Sequence, residues 1–384
     1  MARFFSLSHL SAGLVAVLVG YTSSVVIIFQ AAEAAGASQA QIGSWLWALG
    51  IGMGVTSIGL SLYYRTPVLT AWSTPGAALL VTGLGDFSLP QAIGVFLFSS
   101  LLITVCGLSG WFERLMRLVP QSLAAAMLAG VLLPFGLALF DGLQQQTLLV
   151  GSMLLSYLLL RRWLPRYGIP LTLLVGVLVA MQQQLLQWQS LPWAPATPIW
   201  VTPEFDLQAL IGVGIPLFIV TMASQNVPGV AVLRANGYPL SASGPVGWTG
   251  MTGLVLAPFG GFAFNLAAIT AAICMGREAG ENPQQRYMAS VWAGIFYLLT
   301  GLFSTAVVVL FDAFPSELVM AIAGLALLGT IGNSLAGALA KEPGREAALL
   351  CFLITASGIS LMGIGSAFWG LLIGLLAHHL GRSD

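Results

Sequence analysis

Apolar residues run through this chain in long stretches separated by only short polar breaks. Elements written this way have apolar surroundings on every side, and a helix needs about 20 such residues to cross a bilayer. The pattern predicts membrane segments near 10 to 32, 40 to 63, 67 to 85, 89 to 109, 120 to 139, 144 to 160 and 168 to 187. A second series follows near 207 to 227, 244 to 257, 259 to 275, 287 to 311, 317 to 337, 346 to 361 and 363 to 380. Each half, 1 to 190 and 203 to 384, holds seven segments. An odd number makes the second half run through the membrane in the opposite sense, an inverted repeat of the kind secondary transporters use. The expected fold class is therefore an all-α integral membrane protein of fourteen transmembrane segments in two inverted seven-segment repeats.

Segments 3 and 10 are short and interrupted by Pro and Gly, and are read as a short strand followed by a half-helix. In the first, the start at Thr66 to Thr70 suits extended chain, Ser73 or Thr74 is a good N-cap, and Pro75 fits the first helical turn. In the second, which runs from Ala257 to Thr270, Asn265 is the expected N-cap. Non-helical backbone at membrane depth is tolerated only where protein or a water-filled cavity satisfies it, so two breaks at corresponding positions predict a central cavity. Each half-helix would aim free N–H groups and the positive end of its dipole there, which suits a carboxylate. Two polar clusters, Tyr21-Thr22-Ser23-Ser24 in segment 1 and Ser224-Gln225-Asn226 in segment 8, are counterparts under the repeat and should flank the same cavity. Candidate substrate-binding residues are Tyr21, Ser24, Trp72, Ser73, Thr74, Gln225, Asn226, Phe264 and Asn265, with Phe262 a further aromatic; the amides suit hydrogen bonding and the aromatics suit a ring.

Composition agrees with the pattern: 58% of the 384 residues are hydrophobic and 7% charged, with mean hydropathy +0.92. The 13 basic residues all fall in alternate connections, so one orientation puts every Lys and Arg in the cytoplasm and Glu33, Asp86, Asp141, Glu204, Asp206, Asp312 and Glu317 outside. Both termini are then cytoplasmic, and Trp45, Trp47, Trp188, Trp193 and Trp200 suit an outer aromatic belt. The first run, after Arg3, is expected to stay as a span rather than be cleaved as a signal. Cys106, Cys274 and Cys351 lie far apart in apolar runs, and His9, His378 and His379 sit at the chain ends, so no metal site or cofactor is expected. The sequence contains no phosphate-binding loop and no hydrolase motif, and the balance of 13 basic and 13 acidic residues gives a nucleic acid nothing to grip. A channel would need rings of charge or a continuous polar stripe, and an intramembrane enzyme a nucleophile with its base; the pattern offers neither.

Six strings carry a resemblance. LTAWSTPGAALLVTG (69 to 83), SLAAAMLAG (122 to 130), TMASQNVPG (221 to 229), AAITAAIC (267 to 274), AGIFYLLTGLF (293 to 303) and SAFWGL (366 to 371) resemble those of the BenE benzoate transporters, from near the N-terminus to the last segment. That family is related to the uracil permease-type nucleobase:cation symporters. The resemblance implies benzoate or a similar aromatic carboxylate as substrate, proton symport, residence in the cell (inner) membrane, and an elevator motion of a core (8 to 118 plus 207 to 311) against a gate (119 to 190 plus 312 to 380), with a possible homodimer through the gates. A nucleobase or an inorganic anion is the alternative solute. Uracil permeases carry acids about where this chain has Gln225 and near Asn265, so the expected cavity is uncharged. It suits a substrate that brings its own charge, and leaves Glu33 and Glu317 as the candidate proton-coupling acids.

Overall fold

The computed structural model describes residues 6–112, 120–163, 168–187, 194–276, 279–340, 342, 344–359, 361 and 366–380, without the side chains of Thr22, Ser23 and Ala235. Trp188, Trp193, Arg114 and Lys341 lie outside the described residues.

The chain is mostly helical. The first half contains α1 (Leu7–Ala34), α2 (Gln39–Tyr64), β1 (Thr70–Ala71), α3 (Thr74–Gly83), α4 (Leu89–Leu108), α5 (Gln121–Gln145), α6 (Thr147–Trp163) and α7 (Gly168–Gln182). The second contains α8 (Leu207–Arg234), α9 (Ser243–Leu256), β2 (Asn265–Leu266), α10 (Ile269–Met275), α11 (Tyr287–Leu302), α12 (Ser304–Asp312), α13 (Ser316–Leu339), α14 (Arg345–Ala356) and α15 (Ser366–Leu380). Among the described residues α2, α4, α5, α8 and α13 are each long and apolar enough to cross a membrane alone, and two bent pairs raise that number from five to seven. The chain is thus a multi-pass membrane protein.

The helices gather into two groups by their strongest packing. In one, α2 lies on α11, α4 on α9, and α1 on α11, α3 and α10; in the other, α5 lies on α13 and α14, α14 on α15, and α6 on α7. Small residues permit the closest approaches, as in membrane helix pairs generally. A Cβ on Gly50 would come within 2.5 Å of the Gly301 Cα, so α2 and α11 touch backbone to backbone there.

Contacts between connections bring like ends of the helices together. Gly142, beside Asp141, faces Glu317, and Gln187 N donates to Ala313 O. At the other end Gly280 faces His9 and Gly344 faces His378. Arg65, Arg161, Arg162, Arg234 and Arg345 all lie at or beside helix ends, as do Asp86, Asp206 and Asp312.

Two expected boundaries need correction. The segment expected as one span at 287 to 311 bends by 68° between α11 and α12. Gly301 is pressed against Gly50 just before the break, and the Ser304 hydroxyl donates to Gly43 O at 2.7 Å just after it. The eighth segment, expected to end near 227, continues as helix to Arg234 through π-helical turns at Leu210–Gly214 and Met222–Asn226.

Candidate functional site

The two broken segments meet. β1 and β2 pair antiparallel, with Thr70 opposite Leu266 and Ala71 opposite Asn265, and Ala267 N donates to Leu69 O at 2.9 Å. Extended backbone at this depth needs partners from elsewhere. The face of α2 supplies them on one side: Ser57 Oγ accepts from Thr70 N at 3.0 Å, and Ser61 Oγ donates to Val68 O at 2.9 Å. Thr70 Oγ1 also lies 2.6 Å from Thr56 Oγ1 and donates to Met53 O at 3.0 Å. On the other side Asn226 Oδ1, from the second π turn of α8, accepts from Leu266 N at 2.9 Å.

α3 follows β1 as the spacing predicts. Ser73 is its N-cap, its hydroxyl accepting from Gly76 N at 3.0 Å, and Pro75 lies in the first turn. The expected cap of the second half-helix is corrected. Asn265 sits in β2, its Nδ2 donating to Ala263 O at 3.0 Å, while α10 begins three residues beyond β2, with Ala268 at the N-cap position. An alanine offers no side-chain acceptor, so the first-turn amides of α10 are left without a cap. At the far end of α10 the Arg286 guanidinium donates to Met275 O at 2.8 Å and to Gly280 O at 2.7 Å, a cation at the negative end of the dipole.

Beside these two starts lies a cavity of about 720 Å³. Ser24, Trp72, Thr74, Gln225 and the segment Ala267 to Thr270 line it, with Tyr297 from α11. Trp72 is held edge-on to Tyr21, ring centroids 4.8 Å apart, and its Nε1 donates to Ser24 Oγ at 2.8 Å. That hydroxyl donates in turn to Gly20 O at 2.9 Å, so the indole presents a fixed apolar wall. Gln225 has no hydrogen-bond partner among the described residues, and its amide is available to a ligand. No Asp, Glu, His, Lys or Arg is among the described residues that line the cavity. The rest of the lining comes from the first turns of α5 and α7 and the later turns of α13.

The candidate residues from the sequence therefore divide. Ser24, Trp72, Thr74 and Gln225 come together on the cavity; Tyr21 stands behind Trp72, and Ser73 is spent on its cap. Asn226 and Asn265 are fully buried and bind backbone. Phe264 fills the space over Gly52, and Phe262 packs against Phe96 and edge-on to Trp45. Glu33 and Glu317 lie at the ends of α1 and α13, away from the lining. Tyr297, Thr270, Gln121, Thr330, Asn333 and Ser334 line the cavity without having been singled out from sequence. For the four on α5 and α13 the available signal was polar side chains on otherwise apolar spans.

Two half-helices joined by a two-residue ladder beside a cavity define a membrane transport protein of the broken-helix type. Comparison with known proteins narrows the class. The chain belongs to the benzoate membrane transport protein family, BenE, whose model matches residues 3–380. It is 50% identical over 374 residues to the inner membrane protein YdcO of Escherichia coli (strain K12), covering 97% of this chain and 96% of that protein. It is 40% identical over 376 residues to the benzoate membrane transport protein of Acinetobacter baylyi (strain ATCC 33305 / BD413 / ADP1), covering 98% and 95%. Among solved structures it is similar to the transmembrane domain of the cyanobacterial bicarbonate transporter BicA, with TM-score 0.60, 12% identity and coverage of 100% of this chain and 98% of that one. It is also similar to SLC26A9, with TM-score 0.63, 13% identity and coverage of 97% and 65%. At such identities the likeness is one of fold.

Proposed function

We propose that this protein imports benzoate or a similar small aromatic carboxylate across the cytoplasmic (inner) membrane as a secondary active transporter. The observation that carries the reading is the cavity itself: uncharged, walled by Trp72 and Tyr297, and bordered by the starts of α3 and the Ala267 to Thr270 segment. A carboxylate beside Thr74 meets the positive end of α3, whose Gly76 N–H is taken by Ser73 and whose Pro75 has none, and the uncapped first-turn amides of α10, in place of a buried Lys or Arg, whose desolvation in a bilayer is costly. Gln225 donates to it from α8, and the ring lies against Trp72. The A. baylyi relative, named for benzoate transport, supports that solute.

The element order supports fourteen segments in two inverted sevens, the first from α1 to α7 and the second from α8 to α15, with β1–α3 and β2–α10 as the broken third and tenth and α11–α12 as one bent span. The two packing groups then act as core and gate, and the core carries the site past the gate in an elevator motion. Gate lining drawn from beside the arginine-bearing helix ends supports an inward-facing state. Coupling is by proton symport, with the proton on the substrate carboxyl or on Glu33 or Glu317, and gates of two copies pair in a homodimer.

Counterflow in proteoliposomes tests the solute. Benzoate inside should drive uptake of radiolabelled benzoate, while uracil or bicarbonate inside should not; the reverse preference would replace this reading with the nucleobase or inorganic-anion alternative. Uptake should also collapse with a protonophore and persist without Na⁺.

A further inference from the structure

The carboxylate site uses the half-helix starts and Gln225, and the polar lining residues on α13 and α5 are unexplained by it. Thr330, Asn333, Ser334 and Gly337 of α13 all line the cavity, at spacings that put them on one face of the helix. Gln121, in the first turn of α5, joins them. None of the four polar side chains has a hydrogen-bond partner among the described residues, although Ser334 is only 7% exposed. Thr330, Asn333 and Ser334 lie within α13 and bind no neighbouring helix, and polar groups so placed on a membrane helix point to function, while Gln121 is the first residue of α5. A benzoate whose carboxylate is at Thr74 offers nothing to this wall but ring C–H, and the cavity of about 720 Å³ lies well inside the size range of pockets for larger organic ligands.

The composition of the stripe defines its complement. Hydroxyls and carboxamides both donate and accept, with no net charge among them. An ammonium would find no anion there, and a second carboxylate neither a cation nor the paired half-helix starts that receive the first. The matching ring substituent is neutral and both donates and accepts, as a phenolic hydroxyl does. We infer that Thr330, Asn333 and Ser334, with Gln121, form a specificity subsite for the ring hydroxyl of a hydroxylated aromatic carboxylate. This rests on the aromatic-carboxylate reading above and extends it to the far end of the ring. A site built to hydrogen-bond a hydroxyl disfavours the analogue that lacks it, because its own polar groups are then left unmatched.

Calorimetry on the purified full-length chain tests this with benzoate, 3-hydroxybenzoate, 4-hydroxybenzoate and 4-methylbenzoate. In the unaltered protein one of the hydroxybenzoates should bind about threefold to tenfold tighter than the methyl analogue, the worth of a single neutral hydrogen bond. Thr330→Val, which keeps the side-chain volume, and Asn333→Leu should each erase that preference and leave benzoate affinity within about twofold. Retained benzoate binding also proves the variants folded. Equal binding of hydroxy and methyl analogues, or a preference that survives both substitutions while benzoate binds normally, would overturn the subsite alone. Absence of benzoate binding in the unaltered protein would overturn the carboxylate reading and the subsite with it.

Discussion

Gln225 and Asn226 are adjacent in sequence, yet only Gln225 faces the cavity. Asn226 is fully buried and holds Leu266 N, and through it β2. Their substitutions should therefore fail in different ways. A hydrogen bond to a charged group contributes about 1.5 to 3 kcal/mol, so Gln225→Ala should weaken benzoate binding roughly tenfold to a hundredfold with little change in thermal stability. Asn226→Leu leaves a buried N–H without an acceptor, at a cost of about 1 to 3 kcal/mol in stability, and should lower the melting temperature of the ligand-free protein. Calorimetry and thermal unfolding on both variants would separate the two roles, and an unchanged affinity in Gln225→Ala would move the carboxylate elsewhere. Sequence reasoning finds both residues because a polar triplet inside an apolar run is conspicuous. It does not divide them, because a π turn rotates Asn226 relative to a regular helix and local pattern does not encode that turn. Tyr297 was hidden for a related reason: an aromatic in the middle of an apolar span reads equally as lipid contact or packing.

At the scale of elements, the half-helices differ in how they are held. α3 carries its own cap in Ser73, and the Ser-Thr-Pro order makes its start legible from sequence. α10 is two turns long and has no side-chain cap at its start; what secures it is Arg286 at its end and β2 before it. Asn265 was a sound expectation as a cap by residue type, but the extended chain continues through Leu266 because Ala71 and Thr70 are there to pair with it. Pairing between residues 194 positions apart, Ala71 and Asn265 (265 − 71), cannot be inferred from either segment alone. Gly260 is a second non-local constraint: it takes φ 95° and lies so close to the Trp45 ring that any Cβ would clash. Removing the guanidinium in Arg286→Ala should free the Met275 and Gly280 carbonyls and cost about 1.5 to 3 kcal/mol, with Arg286→Lys keeping part of it. Thermal-shift measurements on the two variants check this, and equal stability of Arg286→Ala and the unaltered protein would contradict the tie. Thr70→Val, which removes the hydroxyl shared with Thr56, Ser57 and Met53, should likewise destabilise the ligand-free protein.

For the whole molecule, the membrane class and most helix positions were readable because lipid demands continuous apolar stretches, a constraint written locally in the chain. The bend between α11 and α12 was not, since it arises from a glycine contact and a hydroxyl bond with α2. The proposed orientation puts the arginine-bearing helix ends in the cytoplasm. A single cysteine at position 162 in a background lacking Cys106, Cys274 and Cys351 should resist an impermeant thiol reagent in intact cells, and one at position 141 should react; labelling of 162 from outside would invert the topology. The central claim is that an uncharged aromatic cavity binds a carboxylate through oriented backbone amides and Gln225, and binding of benzoate against benzamide tests it most directly. The two ligands share a ring and differ in charge, so calorimetry on the purified protein should find benzoate bound at least about tenfold more tightly, the equivalent of one charge-assisted hydrogen bond, with the difference much reduced in Gln225→Ala. Equal affinity for benzoate and benzamide would contradict the account.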